Sequence, residues 1–147
     1  MTDQPVRGEN DPIGAILTAA RTIAVVGMSD RPERDSHGVA LYLQGHGYRI
    51  VPVNPMLDRV LGERCYPSLG DIPHDVQIDI VDIFRRPDAV PAVVEAAIAR
   101  AVPVVWMQLG AANAAAAERA RAAGITVVAD RCIKVEHMLR SRPTASP

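Results

Sequence analysis

Residues Thr22 to Leu43 read TIAVVGMSDRPERDSHGVALYL, and this stretch decides the fold. An apolar run from Ile23 to Val26 stops at Gly27. A polar loop follows, and from about Ser36 to His46 a helical pattern places Val39, Tyr42 and Leu43 on one face. A strand that ends at a glycine and leads through a loop to a helix N-terminus is how parallel α/β sheets receive phosphate-bearing ligands. The loop departs from the G-x-G-x-x-G turn. Ser29 stands where the second glycine is needed, and Arg31, Glu33 and Arg34 lengthen the turn before the helix begins.

The same alternation continues outward. Upstream, Asp11 can cap a helix that has Pro12 at its first position, with Ile13, Ile16, Leu17 and Ala20 on one face. Downstream, strands are expected at Tyr48 to Val53, Gln77 to Ile83, Pro103 to Met107 and Ile125 to Val128, with a short extra strand near Val60. Helices are expected from Pro87, from Ala111 to Ala123 (stopped by Gly124), and from Ile133 to Arg140 with Val135, Met138 and Leu139 inward. The strands are continuous apolar runs, the mark of a parallel sheet covered on both faces. The expected fold class is therefore α/β: a Rossmann-like doubly wound parallel sheet of order 3-2-1-4-5, in a single three-layer domain over residues 11–140. Residues 1–10 are expected to be a disordered lead and 141–147 a flexible tail.

Composition excludes several functions. The 147 residues carry 48% hydrophobic and 22% charged residues at a net charge of −1, enough for one ordinary core. No Lys/Arg cluster dominates a face, so no nucleic-acid partner is expected. No apolar run has the length of a membrane span, and the polar start MTDQPVRGENDP lacks the features of a signal peptide, so a cytoplasmic location is expected. Cys65 and Cys132 form no disulfide framework.

Ligands of such sheets sit outside the carboxyl ends of the strands. The residues delivered there are Gly27, Met28 and Ser29; Asn54 and Pro55; Asp82, Phe84 and Arg85; Gln108, Leu109 and Gly110; and Asp130, Arg131 and Cys132. Gly27 allows a close backbone approach or a positive φ, and a tight turn with nothing bound needs the same residue. Ser29 either donates to phosphate or completes its own turn. Arg31, Arg34, Arg85 and Arg86 carry forked donors suited to phosphate. The second strand ends in Asn54-Pro55 where an NAD site has a ribose-binding acid, which argues against NAD. No nucleophile elbow is present, no third group orients His37 toward Ser29, and the four histidines lack metal-ligand spacing. Asp82 and Asp130 are expected to cap or bond neighbouring loops, and Trp106 to be a core aromatic. Cys132, beside Arg131 at a helix start, is read either as a reactive thiol or as a small buried apolar residue.

Six runs occur in order: GMSDRPERDSHG, GYRIVPVNP, LGERCYPSLGDIP, VDIFRRPDAVP, VVWMQLGA and DRCIKVEH. Together they resemble the small bacterial and archaeal CoA-binding proteins, stand-alone relatives of the N-terminal domain of succinyl-CoA synthetase α subunits. The resemblance runs from Ile13 to Leu139 and implies coenzyme A or an acyl-CoA as ligand. It implies that Gly27, Met28, Ser29, Arg34 and Ser36 line the nucleotide and pyrophosphate path, that Asn54 and Pro55 border the adenosine, that Phe84 and Arg85 lie along the ligand, and that Gln108 and Gly110 close the pocket near the pantetheine arm. One departure is Met56, where relatives often carry a lysine; some of the 3′-phosphate contact would then be either lost or taken over by Arg31 or Arg34. No phospho-histidine of the synthetase type can be carried over, so the expectation is binding without catalysis. Two alternatives stay open: an NAD(H)- or adenine-nucleotide-sensing module acting through a partner protein, and thiol chemistry between Cys132 and CoA. A homodimer or another protein partner is compatible with all three.

Overall fold

The computed structural model describes residues 11–141; the expected lead and all but the first residue of the expected tail lie outside them. In chain order the elements are α1 (Pro12–Ala19), β1 (Thr22–Val26), α2 (Asp35–Gly45), β2 (Arg49–Val53), a hairpin of β3 (Arg59–Val60) and β4 (Glu63–Arg64), then β5 (Ile80–Ile83), α3 (Val90–Ala99), β6 (Val104–Met107), α4 (Ala114–Ala122), β7 (Thr126–Ala129) and α5 (Ile133–Arg140). Single-turn helices at Leu69–Asp71 and Pro87–Ala89 precede β5 and α3.

Five strands form one parallel sheet in the order β2-β1-β5-β6-β7. Outside β2, where a 3-2-1-4-5 sheet keeps its third strand, Val53 makes a single parallel bridge to Tyr66. Position three is thus held by a bridge, and the strand counted third along the sequence, β5, lies against β1 on its other side. The chain reverses its direction of travel across the sheet between β1 and β5, and the carboxyl ends of these two strands open the crevice typical of doubly wound sheets.

Alternate side chains face opposite layers. Ile23, Val25, Ile80 and Trp106 pack with Leu17, Val39, Leu43 and Ile133 on the α1, α2 and α5 side. Ala24, Val26, Val81 and Met107 pack with Val90, Val94, Ala97 and Ala120 on the α3 and α4 side. Trp106 is wholly buried, and its indole N–H donates to the Arg131 carbonyl at 2.8 Å. Gly124 takes φ +89° just past α4, the left-handed stop that its sequence position suggests.

Two expectations are corrected. In α5, Val135, Met138 and Leu139 are exposed, and Ile133 and Glu136 face inward instead. The reason is electrostatic. Arg140 reaches the Glu136 carboxylate at 2.8 Å and the Asp11 carboxylate at 2.7 Å, and Arg131 reaches Glu136 at 3.2 Å. These pairs hold α5 against α1 with its carboxylate inward. Asp11 therefore spends its carboxylate on Arg140 and makes no side-chain cap on α1. Arg140→Ala, which leaves Glu136 largely buried with a single cationic partner, is expected to cost about 2 kcal/mol. Thermal unfolding reads this as a midpoint several degrees lower, and an unchanged midpoint would show that the ion pairs do not set the α5 orientation.

The second correction concerns Asp82. It caps no loop. It lies mid-strand in β5, between Val25 and Trp106 in register, fully buried, and neither carboxylate oxygen has a hydrogen-bond partner. Burial raises its pKa well above the usual carboxylate range.

Candidate ligand site at the carboxyl ends of the strands

The site is organised around the glycine that ends β1. Gly27 takes φ +89°, and both its N–H and that of Met28 donate to the Val53 carbonyl, at 3.0 and 3.2 Å. A Cβ placed on Gly27 would stand 2.2 Å from the Phe84 carbonyl oxygen. No side chain fits there, so the glycine is fixed by the protein's own packing before any ligand is considered.

Asn54 ties the neighbouring loop to this turn. Its Nδ2 donates to the Met28 carbonyl at 2.7 Å, and its Oδ1 accepts from the Met56 N–H at 2.7 Å. The Cys65 thiol donates to the Asn54 carbonyl at 3.6 Å, and burial pushes that thiol's pKa up, away from thiolate chemistry. Met56 is 85% exposed.

Two clefts meet at Gly27. The first, about 350 Å³, lies between Asn54-Pro55, the segment Pro67–Leu69 and the Ala92, Val93 and Ala96 face of α3, with Arg85 also on its lining. Its walls are mainly apolar, suited to a flat heterocycle. The second, about 320 Å³, lies at the N-terminus of α2 and is lined by Ser29, Arg34, Ser36 and Phe84. There the Ser29 N–H donates to the Ser36 Oγ at 3.0 Å, and the Ser29 Oγ accepts from the Arg31 N–H at 3.1 Å. These bonds fold the long loop back onto the first turn of α2, where N–H groups and the helix dipole favour an anion. Glu33 and Asp35 share that mouth and offset part of the cationic charge of Arg34.

The expected site residues are thus partly gathered. Gly27, Asn54, Pro55 and Arg85 line the first cleft, and Gly27, Ser29, Arg34, Ser36 and Phe84 the second. The Met28 side chain is wholly buried, and only its backbone serves the turn. Gln108 is also buried, its Oε1 accepting from the Ile133 N–H at 3.0 Å, so it anchors the start of α5. Gly110, at φ +82°, is exposed and lines neither cleft. Cys132 occupies the N-cap position of α5 without a side-chain capping bond.

Sequence reasoning missed Pro67, Ser68 and Leu69, and it missed the α3 wall. The available signal was Ala92 and Ala96, small residues four apart on a helix that follows a strand of the crevice. A larger cavity, about 740 Å³, lies elsewhere, between α1, Tyr48 and the end of α5. It is at the amino ends of the strands, away from the crevice where such sheets hold ligands.

A doubly wound parallel sheet with two clefts meeting at the glycine turn after its first strand defines a Rossmann-like domain. The chain belongs to the CoA-binding domain family, whose model matches residues 21–138. It is 46% identical over 125 residues to the uncharacterized protein YneT of Bacillus subtilis strain 168, covering 85% of this chain and 91% of that one. It superimposes with a TM-score of 0.85 on a hypothetical protein from Pyrococcus horikoshii OT3, at 43% identity over 95% of this chain and 97% of that one. A 65-residue stretch is 34% identical to the ADP-forming acetate–CoA ligase II of Archaeoglobus fulgidus, covering 43% of this chain and 10% of the ligase. Among the described residues no helix is long and apolar enough to cross a membrane.

Proposed function

We propose that this chain binds coenzyme A or an acyl-CoA, and that its task is binding rather than catalysis. The observation that carries this reading is the pair of clefts sharing Gly27, one apolar and one at a helix N-terminus, in a chain of the CoA-binding domain family. An adenine fits the chemistry of the first cleft. The pyrophosphate fits the second, with Ser29, Ser36, Arg34 and the first N–H groups of α2 as donors. Arg85 stands on the lining of the adenine cleft, and Arg31 and Arg34 are the cations available to the 3′-phosphate in place of the lysine that Met56 replaces. The pantetheine arm then leaves the second cleft past Phe84. Asn54-Pro55 offers a ribose no carboxylate, which supports CoA over NAD.

Titration calorimetry with CoA, acetyl-CoA and NAD(H) tests the reading. The expected result is a saturable one-to-one isotherm with the two CoA species and none with NAD(H). Tight NAD(H) binding with no response to CoA would replace it with the dinucleotide-sensing alternative.

A further inference from the structure

We propose that Arg100, which lines neither cleft, is a positioning residue that sets the width of the apolar cleft and so the hold on the nucleoside end of the ligand. The inference rests on the CoA reading above. Arg100 caps the C-terminus of α3, its backbone N–H donating to the Ala96 and Ala97 carbonyls, both at 3.2 Å. Its guanidinium reaches back to a single loop. Nη1 donates to the Ile72 carbonyl at 2.8 Å, with a longer contact of 3.5 Å to the Leu69 carbonyl. Nη2 donates to the carbonyls of Pro73 at 2.7 Å and Val76 at 3.0 Å.

The consequence is geometric. One wall of the apolar cleft is Ala92, Val93 and Ala96 on α3, and the facing wall includes Ser68 and Leu69. Arg100 belongs by its backbone to the first wall and holds by its side chain the chain that continues from the second. The loop's own backbone bonds are short-range turns, Asp71 to Ser68, Ile72 to Leu69 and Val76 to Pro73. Those turns fix the loop's local shape, and the Arg100 fork ties its carbonyls to α3. A planar fork with five N–H donors can serve several carbonyls of one loop together, whereas a lysine ammonium lacks the fixed spacing. The anion cleft is built separately, by the Ser29 and Ser36 bonds within the β1–α2 loop. Loss of Arg100 therefore acts on one end of the ligand.

Calorimetry on wild type, Arg100→Gln and Arg100→Lys tests this with CoA, adenosine 3′,5′-bisphosphate and 4′-phosphopantetheine as probes. Arg100→Gln is expected to weaken the bisphosphate and CoA by roughly tenfold, the scale of one lost charged hydrogen bond, with 4′-phosphopantetheine unchanged and a partial recovery in Arg100→Lys. An equal fall for both fragments, or no change in either, overturns the proposal. Should Arg100→Gln fail to fold, hydrogen exchange on Arg100→Lys decides it. Faster exchange confined to the amides between Leu69 and Val76 is expected, and unchanged exchange there overturns it. If wild type binds none of the three probes, the CoA reading itself fails and this inference falls with it.

Discussion

Asp82→Val is expected to make the protein more stable at pH 7, by about 2–4 kcal/mol. The wild-type carboxyl is fully buried in the face covered by α1, α2 and α5, with no hydrogen-bond partner for either oxygen. Nothing there compensates an ionised form, and burial holds the group protonated well above the usual carboxylate range. The sign of the pH dependence follows. Below the unfolded carboxyl's pKa both states carry the proton, and Asp82 adds no pH dependence. Above it the unfolded chain ionises while the folded one keeps its proton, so stability falls by up to about 1.4 kcal/mol per pH unit. The fall ends once pH passes the raised folded value. Valine suits a mid-strand position between Val25 and Trp106, and it removes both the buried polar group and this slope. Urea denaturation of wild type and variant at several pH values from 4 to 9 should show the gap widening as pH rises. Parallel profiles would mean that Asp82 does not titrate with folding.

Gly27→Ala is expected to cost about 3 kcal/mol or more and to abolish CoA binding. Two effects add. The residue sits at φ +89°, where an L side chain is strained, and its new methyl would stand 2.2 Å from a backbone oxygen that cannot rotate away. Relief requires β1 and β5 to part at their carboxyl ends, which moves Gly27, common to both clefts, away from Phe84 on the second. Denaturation and calorimetry on the same preparation check it. A variant that keeps wild-type stability and CoA affinity would show that this junction is not what shapes the site.

The two variants move stability in opposite directions for one reason. A buried position is judged by what surrounds it. At Gly27 the surroundings leave no room for an added atom, and at Asp82 they offer no partner for a polar one. The sequence shows the glycine plainly, because an apolar strand that ends in glycine before a polar loop has few other readings. It shows the aspartate only as a polar residue at the end of a strand, which is why a loop cap was expected there.

Legibility differs between fold and site in the same way. The strand–helix alternation, the parallel sheet and the crevice residues Gly27, Ser29, Asn54 and Arg85 follow from local pattern, because hydrophobic period and turn chemistry are short-range. The α5 orientation does not. Its apolar residues Val135, Met138 and Leu139 share a helical face, yet ion pairs among Asp11, Arg131, Glu136 and Arg140 turn that face outward. Asp11 and Arg140 are 129 residues apart, and no local window contains both. The α3 wall and the Pro67–Leu69 wall are likewise distant in sequence and meet only in the folded chain, where Leu69 packs with Val94 and Ala97 and Arg100 bonds the carbonyls of the same loop.

The sequence by itself determined the fold class and the glycine turn, since strand–helix alternation and turn chemistry are written in short local patterns. The tertiary structure alone decided three things: which third-position segment pairs outside β2, which face of α5 is buried, and where the walls of the clefts stand. Those outcomes depend on contacts between remote segments, where geometry and charge pairing outweigh local preference.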